Sequence, residues 1–179
     1  MTWDAFHHRG DVLRSVVDEA NTRRDGVLPM DLPGVAETFG DETALVTALQ
    51  LRWHTRLAGR IERTLMERPD DLEAAVVTAW RGTAADLAGV RAILDAHRAA
   101  PATPAMGEAL EKAHAKEARL LAAMAGRAAA ADAGAVAQGE RIEAKARAAY
   151  DPTATPRHLR CDGDRPSGLL GRIKAHLAA

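Results

Sequence analysis

The feature that most constrains the fold is a long amphipathic pattern between Asp41 and Pro69. Its apolar residues recur every three or four positions, the period of an α-helix that buries one face: Val46, Leu49, Trp53, Leu57, Ile61 and Leu65. Asp41 is suited to cap the first turn, because its carboxylate accepts from free backbone N–H groups. We therefore predict a helix that starts after Asp41 and ends near Glu67.

Shorter tracts separated by glycine and proline repeat this pattern. They predict helices over residues 2–20, from Asp70 or Asp71 to a break near 87–89, on to about 99, from Thr103 to about 125, and over 132–150, with a short helical turn around 35–38. Alanine dominates the apolar residues and aromatic residues are only 3%, which favours helix over sheet. The predicted fold is all-α: residues 1–150 form a helical bundle of about five to six helices.

The C-terminal residues differ from the bundle in composition. Pro152, Pro156 and Pro166 mark residues 151–166 as a linker. Residues 167–179 then form a short amphipathic C-terminal helix whose apolar side is Leu169, Leu170, Ile173 and Leu177. An apolar stripe after an extended linker is typical of segments that dock into grooves. We expect it either to bind a partner or to fold back on its own bundle.

Charge and cysteine usage narrow the function class. The net charge of −1 excludes a global electrostatic attraction to nucleic acid or membrane, although residues 1–50 hold nine acids against four arginines. Single Cys161 excludes an internal disulfide, and the start of the chain lacks the pattern of a signal peptide, so we expect a cytoplasmic protein. No apolar run is long enough to span a membrane. The alanine, arginine and glycine usage suggests a bacterial source.

Arginines form the first candidate site. Four gather on one narrow face of the 41–67 helix: Arg52, Arg56, Arg60 and Arg63. A row of guanidinium groups is suited to grip phosphates or an acidic partner segment. The alternative is a solvated face that pairs with acids of the first fifty residues, such as Asp18, Glu19 and Glu37. No aromatic platform or nucleic-acid motif accompanies the row.

The second candidate combines His54, His114 and Glu117. His54 lies within the apolar arc of its helix, and Glu117 lies near the middle of the arc of the helix after Thr103. A buried carboxylate needs a partner, and imidazole with carboxylate binds transition metals. Glu111 and His114 also have the Glu-x-x-His spacing of di-iron bundles, but the second copy that such sites need is missing. A structural polar cluster, or an ion pair with an arginine of a neighbouring helix, is the competing interpretation.

These patterns predict a non-enzymatic helical interaction or adaptor protein. Its partner would be a protein or ribonucleoprotein, bound through the arginine-rich helix face or the C-terminal segment; self-association is compatible with both. The alternative is a metal-binding bundle, ferritin-like or of oxidoreductase type, with a buried His/Glu site. A third hypothesis places a small ligand between Trp53, Trp80 and Met124. No motif for a cofactor is present, and the sequence leaves catalysis open.

Overall fold

Seven α-helices make up the part of the chain that the structure describes. This computed structural model describes the backbone of residues 3–150 and the side chains from residue 8 onward. The helices are α1 (Trp3–Arg23), α2 (Val35–Phe39), α3 (Glu42–Glu67), α4 (Leu72–Asp86), α5 (Ala88–Ala99), α6 (Pro104–Met124) and α7 (Ala135–Ala148). Residues 3–150 contain no strand, so the all-α prediction is confirmed. The helix count among the described residues slightly exceeds the predicted five to six, because the short α2, predicted as a helical turn, is a separate helix.

Side-chain caps set where the long helices begin. Asp41, Asp71 and Thr103 each accept a hydrogen bond from the backbone N–H three residues further on, at 2.8, 3.0 and 3.1 Å. Each bond satisfies a donor that the helix itself leaves unpaired. Gly126 follows α6 in the left-handed conformation, with φ of 65°, which suits a residue without Cβ.

The core is a four-helix arrangement with two further helices packed on it. α3, α4, α7 and α6 contact one another in that cyclic order, α5 packs on α3, and α1 packs mainly on α5. The largest fully buried side chains are Trp53 and Trp80, surrounded by leucine, isoleucine and alanine. Because α1 touches α3 only briefly, part of the outer surface of α3 stays uncovered.

The backbones of α1 and α5 come into direct contact where the two helices cross. A Cβ at Gly89 would lie 1.8 Å from the carbonyl oxygen of Ala20, so only glycine fits there. The amide of Asn21 bridges the same crossing, since its Oδ1 accepts from Gly89 N at 3.0 Å and its Nδ2 donates to the Asp86 carbonyl oxygen at 3.1 Å. The orientation of α1 therefore depends on this contact.

The predicted linker 151–166 and the predicted C-terminal helix 167–179 lie outside the described residues. They stay predictions, together with the apolar side formed by Leu169, Leu170, Ile173 and Leu177. Within residues 3–150, no helix combines the length and the apolar character that crossing a bilayer requires.

We predict that Gly89→Ala lowers the free energy of unfolding by about 3 kcal/mol, because the added methyl group forces α1 and α5 apart. Gly59→Ala is the matched control: the Cβ added there meets nothing within 4 Å. In the interior of a helix this change should raise stability by up to about 1 kcal/mol. Urea unfolding followed by circular dichroism measures both. Equal changes in the free energy of unfolding for the two substitutions would contradict the close backbone contact at Gly89.

Candidate functional site

Trp53 fixes the rotation of α3 about its axis. The side chain is fully buried, and its indole Nε1 donates to Glu117 Oε2 on α6 at 2.9 Å. The ring packs edge-to-face on Trp80, with 5.7 Å between centroids, and the guanidinium of Arg91 lies 4.8 Å from its centroid. Three neighbouring helices thus hold one side of α3 inward, and the opposite side must face solvent.

The side of α3 that faces solvent carries the arginines. Arg52, Arg56 and Arg63 line a surface depression of about 240 Å³ together with Thr55 and Gly59. No acid of the described residues lines this depression. Among the described residues, no carboxylate forms an ion pair with Arg52 or Arg63. We call Arg52, Arg56 and Arg63 the arginine row.

Arg60 does not line the depression, although the sequence predicts it on the same helix face. Its Nη1 lies 3.0 Å from Asp86 Oδ2, and Arg56 Nη2 lies 3.2 Å from the same oxygen. The Arg60 guanidinium also rests on Gly82, where a Cβ would come within 2.9 Å of it. Arg60 therefore ties α3 to α4. The acid that pairs with these arginines is Asp86. The sequence predicted acids of the first fifty residues for this role, but Glu19 pairs with Arg23.

A groove between α1 and α3 extends the depression toward the start of α3. It has a volume of about 650 Å³, and Leu13, Ala44, Ala48 and Leu51 provide its apolar surface. Leu51 is 66% exposed, a high value for leucine. Arg52 and Thr55 line both the groove and the depression of the arginine row. The two are therefore adjacent along α3, and we call the combined feature the α3 trough.

The residues of the predicted metal site have separate partners. Glu117 is 2% exposed and accepts from Trp53 at 2.9 Å and from Gln50 Nε2 at 3.5 Å, while His114 lies among charged residues of α5 and α7. Within the described part of the chain, no group of three His, Cys, Asp or Glu side chains is arranged to hold a metal ion. His54, His114 and Glu117 therefore do not form the metal centre that we considered.

His54 is half-buried on α3 and remains close to Glu117. Burial lowers the pKa of His54, and the charge of Lys116 lowers it further, while the charge of Glu117 acts in the opposite direction. The neutral imidazole is thus the favoured form at neutral pH. His54 adds no cation to the buried carboxylate, so the hydrogen bonds from the indole and the Gln50 amide carry its stabilisation.

His114 lines a cleft of about 470 Å³ between α5, α6 and α7. Its Nδ1 lies 2.8 Å from Arg98 Nη1, and because a guanidinium can only donate, Nδ1 must be the acceptor. Its Nε2 lies 3.5 Å from Glu140 Oε1. Glu143 Oε2 is 3.6 Å from Nδ1. Arg98 was not predictable as the partner of His114, because the contact joins two helices.

An ion-pair network closes the inner wall of this cleft. Arg147 donates two hydrogen bonds to Asp95, at 2.9 and 2.8 Å, and one to Glu143 at 2.8 Å, while it lies over the Trp80 ring. Burial alone would raise the pKa of Asp95, but the hydrogen bond from Arg147 and the charges of Arg91 and Arg147 outweigh it, and the pKa falls below its usual range. These charges satisfy one another. The ion pairs of this cleft therefore join α7 to α5. In the arginine row, by contrast, Arg52 and Arg63 have no carboxylate partner among the described residues.

Known proteins assign no role to either surface. Comparison with protein-family models, with curated proteins and with solved structures finds no match for the chain. Its function is therefore inferred from its own residues.

The hydrogen bond between Trp53 and Glu117 predicts strong coupling between the two positions. Trp53→Phe should cost about 3 kcal/mol of unfolding free energy in the natural chain, because it removes core volume and leaves a buried carboxylate without its main donor. In a Glu117→Met background the same change should cost about 1–3 kcal/mol less, since no carboxylate is left unpaired. Urea unfolding of the four proteins measures this double-mutant cycle. A cost of Trp53→Phe that is the same in both backgrounds would contradict the role of the bond.

Proposed function

We propose that this protein is a non-enzymatic interaction protein that binds an acidic segment of a protein partner through Arg52, Arg56 and Arg63. The supporting observation is the arginine row itself: its three guanidinium groups surround one depression that no acid of the described residues lines. Arg52 and Arg63 have no carboxylate partner within that part of the chain, and Arg56 shares Asp86 with Arg60. Guanidinium groups are weakly hydrated and match carboxylates with two parallel hydrogen bonds. A carboxylate-bearing segment is the ligand that best complements such a row.

A protein partner suits this surface better than a nucleic acid. The chain as a whole carries a net charge of −1, so it lacks the broad positive field that concentrates a protein on a phosphate backbone. The row also adjoins apolar side chains, of which Leu51 is 66% exposed. Exposed leucine contributes to binding when it is buried against another apolar surface, which a peptide provides.

The C-terminal segment is the second contact in this proposal. Its apolar side, Leu169, Leu170, Ile173 and Leu177, would bind the same partner assembly or a neighbouring copy of the chain. The linker before it would then make the second contact intramolecular and raise the avidity. We place the protein in the cytoplasm, a reducing compartment that is consistent with the single Cys161.

We predict that Arg52→Glu combined with Arg63→Glu reduces partner capture about tenfold, because two favourable ion pairs become repulsive contacts. The matched control is Arg81→Glu with Arg119→Glu. It changes the net charge by the same amount at exposed helical positions outside the row. Quantitative pull-down of the full-length variants from lysate of the source organism, followed by mass spectrometry, measures the proteins that are retained.

A partner set that both double variants lose equally would show that only net charge matters, and the proposal would fail. Loss of the partners on nuclease treatment would instead indicate a ribonucleoprotein. A chain that ends at residue 150 separates the two contacts, since partners retained by it cannot depend on the C-terminal segment.

A further inference from the structure

The α3 trough has a polarity along its length. Its apolar part, with Leu13, Ala44 and Ala48, lies beside the first turns of α3, and the arginine row occupies the later turns. Asp41 is the one acid among the described residues that line it, and it lies at the apolar end. A ligand that fills the whole trough therefore needs an apolar part and an acidic part in a fixed order.

Arg9 also lines the apolar end of the trough, but its guanidinium is already bound within the protein. Its Nη1 donates to the carbonyl oxygen of Thr38 at 3.0 Å, and its guanidinium lies 4.4 Å from the centroid of the Phe39 ring. It is thus already held by α2. Arg9, Arg52 and Arg63 have no carboxylate partner among the described residues of the trough, but the Arg9 guanidinium is occupied by the Thr38 carbonyl and the Phe39 ring. The guanidinium groups left for a ligand are therefore those of Arg52 and Arg63, both on the arginine side.

We infer that the trough binds an acidic amphipathic helix of a protein partner, antiparallel to α3. This inference rests on the proposed function and adds the form and direction of the ligand. From Asp41 to Arg63 the trough is about 33 Å long at 1.5 Å per residue, the length of a helix of about 20 residues. The apolar turns of such a helix cover Leu51 and Ala48, and its acids reach the arginine row.

Electrostatics selects the antiparallel direction. Acidic residues stabilise a helix at its N-terminal end, where the macrodipole is positive. A partner helix with acids in its first half brings them to the arginine row only when it runs opposite to α3. The bound segment is therefore expected to be acidic in its first half and leucine-rich in its second half.

The chain's own C-terminal segment complements the trough less well. It has the apolar side, with Leu169, Leu170, Ile173 and Leu177, but its bases Arg172 and Lys174 would meet the arginine row. Residues 151–179 carry five bases against three acids. Like charges at an interface oppose docking, so a separate acidic helix is the better occupant.

Three fluorescein-labelled synthetic peptides of about 20 residues test the inference against the full chain by fluorescence anisotropy. The first has glutamates in its N-terminal half and leucines three and four positions apart in its C-terminal half. The second has the same halves in reverse order. The third replaces each leucine of the first with glutamine. We expect the first peptide to bind about tenfold more tightly than either of the others.

Variants of the chain separate the two ends of the trough. Leu51→Ser should weaken the first peptide about tenfold and leave the third unchanged, because it removes an apolar contact only. Val27→Ser is the matched control, since Val27 is also exposed, at 57%, but lies outside the trough. Arg52→Glu with Arg63→Glu should weaken the first and third peptides alike.

The possible failures are distinguishable. If the first and third peptides bind equally and Leu51→Ser changes neither, the helix inference is overturned and the proposed acidic partner stands. If no peptide responds to Arg52→Glu with Arg63→Glu, both fall. A peptide of residues 167–179 that binds in a Leu51-dependent manner would assign the trough to the chain itself. A single-stranded oligonucleotide whose binding depends on Arg52 and Arg63 but not on Leu51, with no leucine effect on the peptides, would assign it to nucleic acid.

Discussion

The hydrogen bond from the Trp53 indole to the buried Glu117 carboxylate is the contact on which the arrangement of this molecule depends. Successive residues of an α-helix are related by a constant rotation about its axis, so the direction of one side chain determines the directions of all the others. With Trp53 held between Glu117, Trp80 and Arg91, the arginine row emerges on the opposite side. A rotation of α3 by one residue would bury guanidinium groups without partners, which is costly. The position of the proposed binding surface therefore depends on the contact of Trp53 in the core.

Local chemistry made much of the fold predictable from the sequence. The starts of α3, α4 and α6 follow from Asp41, Asp71 and Thr103, because a cap acts on N–H groups only three residues away. The period of the apolar residues gave the inward face of α3, including Trp53, for the same reason. α7 is shorter than predicted, at Ala135–Ala148, since the alanine-rich residues before it form turns.

The partners of the candidate site residues were not predictable, because they come from distant parts of the chain. Asp86 on α4 pairs with both Arg60 and Arg56 on α3, and Arg98 on α5 contacts His114 on α6, so each contact joins two helices. The donor for Glu117 could have been predicted, because the apolar arc of α3 contains the indole N–H of Trp53, which needs an acceptor when it is buried. Gly89 and Gly139 look like weak points of their helices in sequence, whereas in the fold they are contact points. A Cβ at Gly139 would lie 1.9 Å from the carbonyl oxygen of Ala118.

Hydrogen exchange of the Trp53 indole N–H, followed by NMR on the ¹⁵N-labelled chain, tests the rotation of α3 most directly. A buried, bonded indole proton exchanges only when the surrounding core opens. We therefore expect its protection to match that of the slowest backbone amides and to disappear only with global unfolding. Exchange at the rate of an indole in water would show that Trp53 faces solvent. The arginine row would then lie inside the bundle, and the surface inferred for binding would not exist.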